Sequence, residues 1–94
     1  MAAAHEFSVV DFSVSPPQVT IPRDYNAAVD LIDRHVLAGR GARIAIRDEQ
    51  GAYSYGDLAA RTDRAAGALR ALGLEQEQRV LLCLLDTIDF PTVF

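Results

Sequence analysis

Lysine is missing from this 94-residue chain, and its absence removes several kinds of chemistry at once. All nine basic residues are arginines. A phosphate-binding loop ending in Gly-Lys-Ser/Thr is therefore excluded, as are a Schiff base and lysine-assisted acyl or phosphoryl transfer. Any step that needs a lysine must take place outside this sequence.

Cysteine and long apolar runs are also scarce. Cys83 is the single cysteine, which rules out an internal disulfide and a cysteine-rich metal site. No apolar run approaches the roughly 18 residues of a membrane span, and the start lacks the basic end and apolar centre of a secretion signal. The net charge of −4 argues against nucleic-acid binding, which needs clustered cations. We therefore expect a cytoplasmic protein with neither a membrane nor a nucleic acid as partner.

The sequence begins with a stretch that has no regular period. Residues 1–22 contain apolar residues whose alternation slips once, and Pro16, Pro17 and Pro22 prevent a continuous helix or a central strand. We predict an extended N-terminal arm that lies on a neighbouring surface, with disorder as the alternative.

A helix is predicted from Tyr25 to Ala38, where apolar residues recur with helical spacing. Asp24 or Asn26 can cap its first turn, and Gly39 can end it. The same pattern assigns three charged residues to its outward face: Asp30, Asp33 and Arg34.

A β-hairpin and a second helix follow. Apolar residues alternate from Ile44 to Arg47, residues 48–51 have turn composition, and Tyr53 lies on the returning strand with Tyr55 on the same face. Ser54 and Asp57 then form a capping box at the start of a helix that Gly73 closes. One stripe of that helix is predicted to pack on a sheet: Leu58, Thr62, Ala65, Leu69 and Leu72.

The run Val80–Leu85 is wholly apolar, as is typical of a parallel strand covered on both faces. A further helix begins near Ile88. The predicted fold class is therefore α/β, with the order helix, β-hairpin, helix, parallel strand and start of a helix. We expect residues 23–94 to be the first, incomplete part of a larger domain, because the helices needed to cover the strand are missing.

Few residues have the side chains or spacing of a functional site. Cys83 is interpreted as core packing inside the apolar strand, and His35, near Asp30 and Asp33, as a surface or helix-end residue rather than a metal ligand. Residues 39–41, Gly-Arg-Gly, precede a strand whereas phosphate loops follow one, so a helix-ending turn is the better interpretation.

Asp86 and Thr87 follow a predicted parallel strand, at the edge where ligands gather in open α/β sheets. The simpler interpretation is that Thr87 or Asp89 caps the last helix. Tyr53 and Tyr55 are interpreted as hairpin packing. No residue of the chain is assigned a catalytic, cofactor-binding or metal-ligating role.

Several motifs resemble the opening of the adenylate-forming superfamily of acyl-CoA synthetases, luciferases and peptide-synthetase adenylation domains. They are YSYGDL at residues 53–58, AAGAL at 65–69 and RVLLCLLD at 79–86. PRDYN at 22–26 and LDTIDFPTVF at 85–94 resemble the aryl branch, benzoate-CoA ligase and its 4-hydroxybenzoate relatives. The resemblance covers about residues 20–94.

The resemblance implies a parent ligase that uses ATP, Mg and coenzyme A to activate a small aryl carboxylate. In that family the phosphate loop with its lysine, the nucleotide contacts and the catalytic lysine all follow the segment present here. We therefore expect this chain to bind no cofactor by itself and to have the remainder of the parent enzyme as its partner.

Two alternatives to an aryl-CoA ligase fragment remain open. The chain could be a stand-alone scaffold or interaction module, or it could belong to an adenylation domain that activates an amino acid. Because the strand Val80–Leu85 would be uncovered, we also expect the isolated chain to fold poorly or to self-associate.

Overall fold

The computed structural model describes residues 7–94, so residues 1–6 of the predicted arm lie outside the described residues. Two antiparallel hairpins are present: β1 (Val9–Asp11) pairs with β2 (Gln18–Thr20), and β3 (Ile44–Asp48) pairs with β4 (Gly51–Ser54). Three helical segments complete the fold. They are the first helical segment (residues 27–40), the long helix (Tyr55–Ala71) and the last helix (Asp89–Val93).

The first helical segment begins and breaks where the sequence predicts. Asn26 caps it, because its Oδ1 accepts a hydrogen bond from the Val29 amide at 3.3 Å. The segment contains two π-helical stretches, Val29–Asp33 and Val36–Arg40. The second is interrupted at Gly39, whose φ of 82° is left-handed and costs a glycine no steric strain.

The β3–β4 hairpin is confirmed, with Ile46 opposite Tyr53 and Asp48 opposite Gly51. An irregularity in the register between Ile44 and Ile46 bends β3. In the turn, Asp48 Oδ1 accepts hydrogen bonds from the amides of Gln50 and Gly51, at 2.8 and 3.2 Å. Tyr55 starts the long helix, as predicted from the capping box of Ser54 and Asp57.

The capping box of the long helix is also confirmed. Ser54 Oγ accepts a hydrogen bond from the Asp57 amide at 3.1 Å, and Asp57 Oδ2 accepts one from the Ser54 amide at 3.0 Å. The Ser54 amide is also the main reason that the pKa of Asp57 lies below its ordinary value. The helix ends at Ala71, Leu72 is its C-cap, and Gly73 follows with a left-handed φ of 94°.

The buried core lies where the first helical segment, the β3–β4 hairpin and the long helix meet the start of the last helix. Its buried members are Ile32, Leu58 and Ile88. Partly buried residues from the hairpin and the long helix pack around them: Ala45, Ile46, Tyr53 and Ala59. The core therefore uses only the first part of the long helix.

The predicted leucine stripe is buried at one end only. Leu58 is 4% exposed and Leu69 is half-buried, but Leu72 is 84% exposed, so the prediction is wrong for Leu72. The physical reason is that no strand lies beside the last turns of this helix in the described part of the chain. Residues 80–85 have no strand partner there, and Leu81 is 92% exposed. The parallel strand stays a prediction.

Residues of the predicted arm form the β1–β2 hairpin, in which Val9 is opposite Thr20 and Asp11 is opposite Gln18. Both strands are exposed along their length. Among the described strands and helices, β1 and β2 lie close only to each other. The position of this hairpin must therefore depend on the residues at its base.

Candidate functional site

An apolar cavity of about 240 Å³ lies between the first helical segment and the long helix. Its walls include Leu31, Ile46, Leu58 and Phe94. Thr62 Oγ1, also in the wall, is buried and has no hydrogen-bond partner within residues 7–94. The lining residues supply no carboxylate, imidazole, guanidinium or thiol. Tyr55 contributes a phenol to the lining. The cavity can therefore take up an apolar group.

A second, more polar cleft lies between β4 and the outer face of the long helix. The Arg61 guanidinium carbon is 5.0 Å from the centroid of the Tyr53 ring, and Arg64 and Asp57 also line the cleft. The positive charge of Arg61 contributes to the lowered pKa of both Asp57 and Asp48. The cleft thus holds the carboxylate of Asp57 beside two arginines, Arg61 and Arg64. Tyr53 has the packing role that was predicted.

A buried carboxylate forms the most highly connected polar cluster. Asp30 is only 3% exposed. Its Oδ2 accepts hydrogen bonds from the hydroxyls of Ser8 and Tyr25, both at 2.6 Å, and its Oδ1 accepts one from Arg34 Nη1 at 2.8 Å. The outward position predicted for Asp30 is therefore wrong.

These donors fix the protonation of the cluster. The Ser8 hydroxyl, followed by the Tyr25 hydroxyl, holds the pKa of Asp30 far below its usual range. The hydrogen bond to Asp30 in turn raises the pKa of Tyr25. Asp30 thus stays ionised and Tyr25 stays protonated near neutral pH, which suits a structural anchor and not a general acid or base.

Sequence reasoning missed the role of Asp30 because its partner Ser8 is 22 residues away. The spacing of Asp30 and Arg34, four residues apart on a helix, was the one available signal. Apolar periodicity averages over a helix face and does not detect a charged residue that is buried by distant polar donors.

Asp48 is a second carboxylate whose role was missed. Besides holding the hairpin turn, its Oδ2 accepts a hydrogen bond from the Ile88 amide at 3.0 Å, across 40 residues of sequence. That amide is the main cause of the lowered pKa of Asp48. Asp48 therefore joins the β3–β4 turn to the start of the last helix, a contact that turn composition alone does not predict.

His35 is partly buried within the first helical segment. Its ring centroid is 4.4 Å from that of Tyr55, and its Nδ1 accepts a hydrogen bond from Arg40 Nε at 3.1 Å. No group of three or more residues that could hold a metal ion occurs in residues 7–94. Cys83 is a free, exposed thiol, so its interpretation as core packing is wrong for this chain. The reason is that nothing in the described residues covers the segment around it.

The remaining candidates lie in turns or next to them. The Arg40 carbonyl accepts a hydrogen bond from the Arg43 amide at 3.0 Å, which supports a turn at the end of the first helical segment. Thr87 Oγ1 accepts a hydrogen bond from the Asp89 amide at 3.3 Å, which is a local turn contact. The N-cap of the last helix is Ile88 and no side chain caps it, so the predicted cap at Thr87 or Asp89 is wrong. Asp86 is exposed. The structure brings none of these residues together with His35 or Cys83 in a common site.

The comparisons with known proteins decide the family. The AMP-binding enzyme family matches residues 33–94. The chain belongs to this family. None of the helices in the part of the chain that the structure describes is long and apolar enough to cross a membrane.

The relatives include members of the aryl branch. The chain is 52% identical to the benzoate–CoA ligase of Thauera aromatica over 91 residues, which is 96% of this chain and 17% of that protein. It is 53% identical to the 4-hydroxybenzoate–CoA/benzoate–CoA ligase of Rhodopseudomonas palustris over 72 residues, 77% of this chain and 13% of that protein. An acetyl-coenzyme A synthetase of Mycobacterium bovis is 37% identical over 83 residues, 81% of this chain and 13% of that protein.

The chain thus spans about a sixth of the length of the aryl ligase to which it aligns over 96% of its residues. No solved structure matches it. The AMP-binding family is a family of enzymes. The described residues of this chain form a buried core and the hydrogen-bonded contacts of Asp30 and Asp48.

Proposed function

We propose that this chain is the N-terminal part of a cytoplasmic aryl-CoA ligase that activates benzoate or a related aryl acid. The carboxylate of the acid attacks the α-phosphate of ATP, giving an aryl adenylate and pyrophosphate. The thiol of coenzyme A then displaces AMP and leaves the aryl thioester. The observation that carries the proposal is the 52% identity to a benzoate–CoA ligase over 96% of the chain.

The difference between relatives supports the aryl branch. Identity falls from 52–53% for the two aryl-CoA ligases to 37% for the acetyl-coenzyme A synthetase of Mycobacterium bovis. Neither a stand-alone module nor an amino-acid-activating domain is favoured by any of these relatives.

The residues of this chain do not fit ATP, Mg or coenzyme A by themselves. There is no lysine in the sequence, and the polar cleft between β4 and the long helix contains the carboxylate of Asp57 beside its two arginines. We therefore propose that no catalytic, cofactor-binding or metal-ligating residue lies in this chain. Its part in the enzyme is structural: residues 23–94 open the large domain, and Val80–Leu85 is a parallel strand that the rest of that domain covers.

The first experiment is to read the coding sequence beyond Phe94. The proposal requires a Ser/Thr/Gly-rich loop that contains lysine, located after the next strands. A stop codon directly after Phe94 in the native gene would contradict it.

The second experiment measures AMP formation by the purified full-length protein with ATP, Mg and coenzyme A. Benzoate and 4-hydroxybenzoate are compared with acetate and with a mixture of amino acids. We expect release of AMP that depends on an aryl acid and on coenzyme A. Preference for acetate or for an amino acid would contradict the aryl assignment, and the second result would favour an adenylation domain.

The third experiment tests the division of labour. Titration calorimetry of the 94-residue chain with Mg-ATP and benzoate should show no saturable binding, whereas the full-length protein should bind both. Saturable micromolar binding to the chain alone would show that a ligand site does lie within it.

A further inference from the structure

A single buried oxygen atom joins the two ends of the N-terminal arm. Ser8 lies just before β1 and Tyr25 lies after β2, and the hydroxyls of both donate to Asp30 Oδ2 at 2.6 Å. Asp30 belongs to the first helical segment. Residues 8–25 are therefore closed into a loop whose base is held by that segment.

Arg34 strengthens the same base from one helical turn away. Its Nη1 donates to Asp30 Oδ1 at 2.8 Å, and its guanidinium carbon lies 4.7 Å from the centroid of the Phe7 ring. Arg34 thus neutralises the buried carboxylate and at the same time holds the residue that precedes Ser8. Charge-assisted hydrogen bonds are stronger than neutral ones, although the Arg34 side chain is 40% exposed and so remains in contact with water.

The hairpin above this base has no comparable support. β1 and β2 lie close only to each other among the described strands and helices, and their residues are exposed. A two-stranded hairpin alone is marginally stable in water. Its position relative to the core is therefore set at the base.

We propose that Asp30 is a clasp: one buried carboxylate fastens both ends of the arm to the first helical segment, so that the β1–β2 hairpin is held or released as a unit. The clasp lies ahead of the residues matched by the AMP-binding family, 33–94. It lies inside the stretch shared with the benzoate–CoA ligase of Thauera aromatica, which takes in 96% of the chain. The clasp does not depend on the proposed catalytic activity.

The test is amide hydrogen exchange, measured by mass spectrometry on the full-length protein. Asp30→Asn removes the charge while keeping the shape of the side chain. We expect exchange in residues 9–20 to accelerate by about tenfold or more, as loss of a charge-assisted contact implies, with residues 44–71 unchanged. Ser13→Ala is the matched control, because the Ser13 hydroxyl bonds only locally, to Asp11 Oδ1.

Milder variants keep the test decisive if Asp30→Asn does not fold. Ser8→Ala and Tyr25→Phe each remove one donor and should each accelerate exchange along the whole hairpin. Ser8→Thr, which keeps the hydroxyl, should restore protection. Unchanged exchange in residues 9–20 in both milder variants would overturn the proposal, as would acceleration of equal size throughout residues 9–71.

Discussion

The two ends of the long helix carry similar leucines in different surroundings. Leu58, in its first turn, is 4% exposed and contacts the core formed with Ile32 and Ile88. Leu72, directly after its last residue, is 84% exposed. Both belong to the same predicted stripe, so helical periodicity identifies the face that is able to pack, whereas burial depends on what lies beside that face.

The same contrast separates the residues before and after Gly73. Residues 27–71 form the β3–β4 hairpin, the first helical segment and the long helix. These elements pack on one another and on Ile88 to form the core. Residues 80–85 are apolar but belong to no strand in the described chain. The first region buries apolar side chains of its own. The apolar side chains of the second region are left largely uncovered by the described residues.

The largest expected effect comes from comparing the two leucines directly. In the monomeric fraction of the 94-residue chain, Leu58→Ala should lower the free energy of unfolding by about 2–5 kcal/mol, because it leaves a cavity in a buried site. Leu72→Ala is the matched control and should change it by less than about 0.5 kcal/mol, as for other surface substitutions. Urea unfolding followed by circular dichroism measures both. Equal losses would show that the last turn of the helix is packed.

An intermediate effect is expected at the capping box. Ser54→Ala removes the acceptor for the Asp57 amide and should cost about 0.5–2 kcal/mol of stability. Ser54→Thr keeps a hydroxyl acceptor and should retain most of it. The same urea titration measures both variants. A loss for Ser54→Thr as large as that for Ser54→Ala would indicate that packing of Ser54, and not capping, stabilises the helix.

A smaller and more local effect is expected at Asp48. Asp48→Asn weakens the hydrogen bond from the Ile88 amide, so exchange should accelerate in residues 88–93 while the long helix keeps its protection. Glu49→Gln, an exposed neighbour in the same turn, is the control. Equal acceleration in both variants would show that a general loss of charge, and not the Asp48–Ile88 contact, is responsible.

The pH dependence of that contact has a defined sign. Because the pKa of Asp48 is lowered in the folded chain, its contribution is fully present above the unfolded value of about 3.9. The contribution is lost as the pH falls through the lower, folded value. The protection of residues 88–93, taken relative to the intrinsic exchange rate at each pH, should therefore fall only below about pH 4 in the unsubstituted chain, and this fall should be smaller in Asp48→Asn.

Local chemistry explains which features the sequence could predict. Ser54 and Asp57 satisfy each other within one turn, and Asn26 and Gly39 mark the limits of the first helical segment through neighbouring residues. The sequence did not predict that Asp30 is buried, because its donors Ser8 and Tyr25 lie outside the helical pattern.

The features that the sequence did not predict depend on contacts with residues that are distant in the sequence. The Asp48 contact with Ile88 forms only after the chain folds back across 40 residues. Cys83 and Leu72 were predicted to be buried, because apolar residues in such patterns usually are. Both are exposed, since no other part of the described chain packs over them. For the proposed function, motif resemblance pointed to the aryl-CoA ligase branch, while the described residues alone form no catalytic arrangement.

The most direct test of the account is amide hydrogen exchange of residues 80–85 in two proteins, the 94-residue chain and the full-length protein. We predict rapid exchange in the monomeric chain and strong protection in the full-length protein, where the proposed parallel strand has neighbours on both sides. Light scattering after size-exclusion chromatography identifies the monomer, since an uncovered apolar strand favours self-association. Strong protection of residues 80–85 in the monomeric chain would contradict the account, because the segment would then need no further part of the enzyme to cover it.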